Sequence, residues 1–69
     1  DPRAALLADL RGRLSRARDE LSGVRRGALL VALRYRLATE RAALPAGDAE
    51  TRAALEEIER QAQGLLNGR

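Results

Sequence analysis

The stretch RGALLVALRYRLATERAAL, residues 26–44, decides how this chain folds, because its apolar side chains fall on two sides of one helix. The first group, the leucine stripe, consists of Leu29, Leu30, Leu33, Leu37 and Leu44. The second group, the tyrosine stripe, begins just before the quoted stretch and consists of Val24, Ala28, Val31, Tyr35, Ala38 and Ala42. Arginines lie along both boundaries between the stripes. We expect the leucine stripe to face the protein's own core, which leaves the tyrosine stripe for a different contact.

Short breaks divide the chain into three predicted helices that form a single domain of residues 1–69. The approximate helix ranges are 2–22, 25–44 and 49–66, and each helix carries apolar residues at helical spacing. Short turns between successive helices favour antiparallel neighbours. The predicted fold class is therefore all-α, an up-down-up three-helix bundle.

The helix ends are predicted from capping residues. Asp1 can cap the first helix, and Pro2 suits the first helical position. The segment LPAGD, residues 44–48, should end the second helix and cap the third with Asp48. Gly23 is expected to give the first helix a left-handed stop, and residues 67–69 are expected to fray.

An alternative reading makes the first two helices continuous. The three-four spacing of the first helix continues past Gly23 into the tyrosine stripe, so a long helical hairpin that self-associates also fits the pattern. Against it, Gly23 and Gly27 would each weaken a continuous helix by about 1 kcal/mol.

The outer helices have ordinary core-facing stripes. In the first helix the apolar residues at helical spacing are Leu6, Leu7, Leu10, Leu14, Ala17 and Leu21. In the third helix they are Leu55, Ile58, Ala62, Leu65 and Leu66. Together with the leucine stripe they can build one core.

Composition argues against catalysis and against cofactors. The 69-residue chain contains no cysteine and no histidine, so thiolate metal sites and the usual acid-base group near neutral pH are absent. Ser15 and Ser22 have no histidine to activate them, and the glycines are too scattered for a phosphate loop. We therefore predict no enzyme activity, no catalytic or metal site and no cofactor.

The longest uncharged apolar run, residues 28–33, is much shorter than the ~20 residues that cross a bilayer. No signal peptide is recognised at the start of the chain. We expect a soluble protein with no membrane partner, and the sequence indicates no particular compartment.

One candidate contact surface combines the first two helices. Behind its leucines the first helix carries small residues, and in a helical hairpin Gly12 would fall opposite Tyr35, leaving room for the aromatic ring. Tyrosine is also a typical interface anchor. The predicted protein-binding residues are Ala8, Gly12, Ser15, Ala28, Val31, Tyr35, Ala38 and Ala42.

Charge indicates which partners suit the chain. The net charge is +3, but residues 1–44 carry ten arginines against five acidic residues, whereas residues 45–69 carry three against five. The predicted partner is a protein with an acidic or apolar helical surface, or a second copy of the chain. Nucleic acid is disfavoured, because the arginines of residues 11–18 spread around their helix and no aromatic residue is interleaved. Pairing of Asp9 with Arg13 is expected instead.

The segment LPAGDAETRAALEEIERQAQGLL, residues 44–66, resembles the products of computational helical-bundle design. The resemblance rests on the Pro-Gly loop, the aspartate cap, the early glutamates and the regular Ala/Leu pattern. A gene from a GC-rich genome would use the same residues, and designed surfaces usually mix lysine with arginine, whereas all thirteen basic residues here are arginine. What the resemblance implies is a regular scaffold that keeps one interface patch.

Three functions follow from these patterns. The first is a protein-binding or self-associating module that uses the small-residue and tyrosine face of the first two helices. The second is a purely structural bundle without a partner, in which exposed alanines serve only helix propensity. The third is an electrostatic, non-specific nucleic-acid binder.

Overall fold

A computed structural model of the chain describes residues 1–68 as three helices joined by two short turns. The helices are α1 (Pro2–Asp19), α2 (Gly23–Ala43) and α3 (Ala49–Leu66). Each helix packs against both of the others. The predicted all-α three-helix bundle is confirmed, and the alternative long hairpin with a continuous first helix is wrong.

Polar contacts between α2 and α3 give the relative direction of these two helices. Nε of Arg34 lies 2.9 Å from a carboxylate oxygen of Glu59, and Nη2 of Arg41 lies 2.8 Å from one of Glu56. The residue later in α2 therefore pairs with the residue earlier in α3. The two helices run antiparallel.

Contacts between α1 and α3 show that these helices run in the same direction. Arg3, at the start of α1, pairs with Asp48, which directly precedes α3, at 2.6 Å. Near the end of α1, Arg18 donates to the side chain of Gln61 at 3.0 Å. The bundle therefore has the predicted up-down-up topology.

The core lies along the axis of the bundle and takes residues from all three helices. Its buried apolar side chains are Leu10, Leu14, Ala17, Leu30, Leu33, Leu37, Leu55, Ile58 and Ala62. The outer members of the predicted stripes pack around it as partly buried residues, namely Leu6, Leu7, Leu29, Leu44, Leu65 and Leu66. The leucine stripe of α2 thus faces the core as predicted.

Leu21 is the exception, and its predicted place in the core is wrong. Its side chain is 97% exposed, because α1 ends at Asp19 and not near residue 22. Glu20 has an extended backbone, with φ −71° and ψ 123°. Leu21 consequently lies in the turn, out of phase with the helix whose spacing predicted its burial.

The first turn is set by the cap of α2, not by a glycine. The Ser22 hydroxyl accepts a hydrogen bond from the Arg25 N–H at 3.3 Å, as is typical of serine at an N-cap. Gly23 is the first residue of α2, so the predicted left-handed stop at Gly23 is wrong. Within residues 1–68, positive φ occurs at Gly68, with φ 78°, in the turn after α3.

The Arg26 side chain links the start of α2 to the end of α1 across the same turn, a role that the sequence did not suggest. Its Nη2 donates to the backbone carbonyl of Glu20 at 2.9 Å and to that of Arg18 at 3.2 Å. These carbonyls end α1, where the helix dipole favours a positive charge. The side chain is half-buried, so it joins the two helices on their core side.

The second turn forms as predicted. Leu44 is extended, with φ −70° and ψ 141°, as expected of a residue before proline. Asp48 caps α3 by accepting a hydrogen bond from the Thr51 N–H at 3.1 Å. Asn67 and Gly68, which were expected to fray, form a turn whose N–H groups bond to carbonyls of α3. Arg69, also expected to fray, lies outside the described residues.

The cap of α3 predicts a pH dependence of stability. The hydrogen bond from the Thr51 N–H holds the pKa of Asp48 below its ordinary value of 3.8, helped by the Thr51 hydroxyl and by the charges of Arg3 and Arg52, while partial desolvation acts in the opposite direction. Because the folded-state pKa of Asp48 is lowered, this stabilisation is complete above the ordinary, unfolded-state pKa and is lost as the pH falls through the folded-state value.

Asp48→Asn tests this dependence, since asparagine caps a helix as well as aspartate but does not titrate. We expect Tm of the wild type to fall more than Tm of Asp48→Asn between about pH 5 and about pH 2. Thermal unfolding followed by circular dichroism gives Tm against pH for both proteins. An equal fall of Tm in both proteins would show that the Asp48 carboxylate does not contribute to the loss of stability in acid.

Candidate functional site

The tyrosine stripe is exposed along the whole length of α2. The side chains of Val24, Val31 and Tyr35 are 85%, 62% and 78% exposed. The alanines between and beyond them, Ala28, Ala38 and Ala42, are exposed as well. Packing within the single chain therefore does not bury this stripe, and its apolar surface lies open to solvent.

The uncharged surface is wider than the stripe itself. Ala32, Thr39 and Ala43 lie beside it on the helical wheel and are also exposed. The Thr39 hydroxyl donates to the backbone carbonyl of Tyr35 at 3.1 Å, so this polar group is already satisfied. We call the tyrosine stripe together with these three residues the α2 face. Its members are uncharged over a length of about 27 Å, and the exposed Arg25 borders it at the start of α2.

Ion pairs border the α2 face. On the side toward α3, Arg34 and Arg41 are paired with Glu59 and Glu56. On the other side Arg36 pairs with Glu40 at 2.9 Å. These arginines are neutralised within the chain, which weakens their attraction for an acidic partner.

A groove of about 690 Å³ runs along the α3 side of the α2 face. From α2 it is lined by four members of the tyrosine stripe, Val31, Tyr35, Ala38 and Ala42. The buried Leu37 and Leu55 lie at its floor. The charged side chains of α3, Arg52, Glu56 and Glu59, form the opposite wall. The groove is long, open and apolar mainly on its α2 wall, a shape that suits an extended apolar ridge such as a helix face.

The predicted contact between Tyr35 and Gly12 is wrong. No atom of α2 lies within 4 Å of the place where a Cβ on Gly12 would be. The seam between α1 and α2 is lined instead by Leu29 and Ala32 on its α2 side. Because Tyr35 lines the groove beside α3, α1 packs against the other flank of α2.

The predicted binding residues therefore do not all form one surface. Ala8, Gly12 and Ser15 of α1 are exposed, but they do not line the α2–α3 groove. The five predicted residues of α2 lie together on the α2 face. Sequence reasoning missed the contribution of α3, whose charged residues gave no sign that they would border this face.

The remaining charged residues form ordinary helix surfaces. Asp9 and Arg13 pair at 3.1 Å, which confirms the predicted contact. In α3, Glu57 pairs with Arg60, and hydrogen bonds from Arg60 and Gln61 hold the pKa of Glu57 below its ordinary value. Across residues 1–68 no group of three acidic side chains is placed to hold a metal ion, and none of the three helices is long and apolar enough to cross a bilayer.

Comparison of the chain with protein-family models, with curated proteins and with solved structures gave no significant match. The resemblance of residues 44–66 to designed helical bundles stays a prediction.

Proposed function

We propose that the chain is a protein-binding module whose contact surface is the α2 face and the adjoining α2–α3 groove. One observation carries the proposal: the large apolar side chains of Val24, Val31 and Tyr35 are exposed in line on one face of α2. Single exposed apolar residues are common on protein surfaces, whereas contiguous apolar patches mark interaction sites. Tyr35 lies near the middle of the face, where an anchor residue contributes most to binding.

A photo-crosslinking amino acid identifies the contact directly. Benzoylphenylalanine in place of Tyr35 keeps an aromatic ring on the α2 face, and the same substitution at Leu21 is a matched control, because Leu21 is also exposed but lies in the first turn. We expect crosslinked protein from position 35 and little from position 21, with the attached peptide identified by mass spectrometry. Equal crosslinking from both positions, or none from position 35, would contradict the proposed surface.

Charge placed on the α2 face should weaken binding to the protein identified in this way. Tyr35→Glu would bury an unpaired carboxylate in an apolar interface, and we expect it to weaken binding at least tenfold, which is about 1.4 kcal/mol. Leu21→Glu should leave the affinity unchanged. Isothermal titration calorimetry measures both, and circular dichroism checks that both variants stay helical. Unchanged binding by Tyr35→Glu would show that the partner contacts a surface other than the α2 face.

A further inference from the structure

The tyrosine stripe has the same spacing when it is read from either end of α2. Its successive members are four, three, four, three and four residues apart, which is the spacing of apolar positions in a coiled coil. In a second α2 placed antiparallel along the first, each stripe residue therefore faces a stripe residue of the other helix. We call each such facing pair a layer. In that register Val24 faces Ala42, Ala28 faces Ala38 and Val31 faces Tyr35, each layer occurring twice.

We infer that the α2 face binds a second copy of this chain, with the two α2 helices antiparallel and a two-fold axis near residue 33. This inference rests on the proposed function and names the partner. A two-fold interface uses the same patch on both subunits and must be self-complementary. The reversible spacing of the stripe meets this requirement over the whole exposed length of α2.

The sizes of the facing residues are also complementary. In the central layers the largest side chain of the face, Tyr35, lies against the shorter Val31. At the outer layers Val24 lies against Ala42, and the layers between consist of alanine alone. Pairing larger with smaller residues lets facing layers interdigitate, and the alanine layers let the two helix backbones approach closely.

Charge favours a second copy over an acidic helix. The α2 face has no charge of its own, and Arg34 and Arg41 at its border are already paired with Glu59 and Glu56 at 2.9 and 2.8 Å. Near the axis the Arg34–Glu59 pairs of both copies meet, so two positive and two negative charges lie together. An acidic helix would place added negative charge beside these glutamates, and its attraction would rest on Arg52, the arginine of the groove that forms no ion pair within the described residues.

The area of the face predicts the strength of association. The exposed side chains of the stripe amount to roughly 500 Å² on each copy, so pairing buries about 1,000 Å² in total, close to the lower limit of specific interfaces. We therefore expect a weak, concentration-dependent dimer.

Disulfide trapping tests the register, and the absence of native cysteine makes the result unambiguous. Ala28→Cys and Ala38→Cys are mixed in a glutathione buffer and the disulfide-linked dimers are quantified. In the antiparallel register residue 28 of one copy faces residue 38 of the other, whereas the two residues 28 are about 15 Å apart along the axis. A disulfide needs Cα atoms within about 7 Å. We expect the mixed 28–38 dimer to exceed each symmetric dimer at least tenfold.

Comparable yields of the mixed and symmetric dimers would overturn the antiparallel register. Sedimentation equilibrium of the unmodified chain tests association itself, with Tyr35→Glu expected to raise Kd at least tenfold and Leu21→Glu expected to leave it unchanged. A wild-type chain that stays monomeric up to about 1 mM would overturn self-pairing. If such a monomer still crosslinks another protein through position 35, the proposed function stands and only the identity of the partner is wrong.

Discussion

Leu30→Ala should remove most of the free energy of unfolding and leave a substantial fraction of the chain unfolded at 25 °C. The Leu30 side chain is completely buried among core residues of all three helices. Removing its isobutyl group leaves a cavity, and leucine-to-alanine changes in cores cost about 2–5 kcal/mol. A domain of this size has only about 3–5 kcal/mol of net stability. Truncation of this one side chain therefore removes most or all of the net stability of the bundle.

Urea titration followed by circular dichroism measures the loss in the free energy of unfolding caused by Leu30→Ala. Val31→Ala is the matched control. Val31 is the next residue of the same helix, but its side chain is 62% exposed. We expect Val31→Ala to change the free energy of unfolding by less than about 0.5 kcal/mol. Similar losses for both variants would mean that the tyrosine stripe, and not only the leucine stripe, is packed inside the monomer.

Arg26→Met has the second-largest expected effect on stability. The guanidinium of Arg26 bonds to two carbonyls at the end of α1, those of Glu20 and Arg18. Methionine keeps much of the apolar stem but leaves these carbonyls without their charged donor. We expect a loss of about 1–3 kcal/mol, because hydrogen bonds to charged groups are stronger than neutral ones. In a chain of this length the loss lowers Tm by roughly 4–24 °C, at about 4–8 °C per kcal/mol.

Arg25→Met is the control for this effect. Arg25 precedes Arg26 in α2, and its side chain is exposed. Both variants remove one positive charge from the start of α2, so any difference between them reports the carbonyl contacts and not the net charge. Equal values of Tm for the two variants would show that Arg26 does not hold the first turn closed.

Local patterns predicted most of the fold. The leucine stripe and the stripes of the outer helices are periodic, and the residues nearest the centre of each stripe are buried as expected. Asp1 and Asp48 cap helices because their carboxylates reach backbone N–H groups two or three residues ahead. Such contacts depend only on the neighbouring sequence.

The first turn was less predictable because two signals competed there. Gly23 suggested a helix stop, whereas Ser22 is a good cap for the helix that follows. The cap decided the outcome, α1 ended at Asp19, and Leu21 left the core. The bonds from Arg26 to the end of α1 stabilise this arrangement, but they span six and eight residues and lie outside the range of local patterns.

The sequence by itself determined that α2 has two apolar stripes and that the leucine stripe is the internal one. Which neighbour borders the tyrosine stripe was decided only by the tertiary structure. A three-helix bundle can place its third helix on either flank of the second, and both arrangements bury the same leucines. The choice depends on how side chains of all three helices pack and pair, including Arg34 with Glu59 and Arg41 with Glu56. For this reason the stripe lies beside α3, and Tyr35 lines the α2–α3 groove instead of covering Gly12.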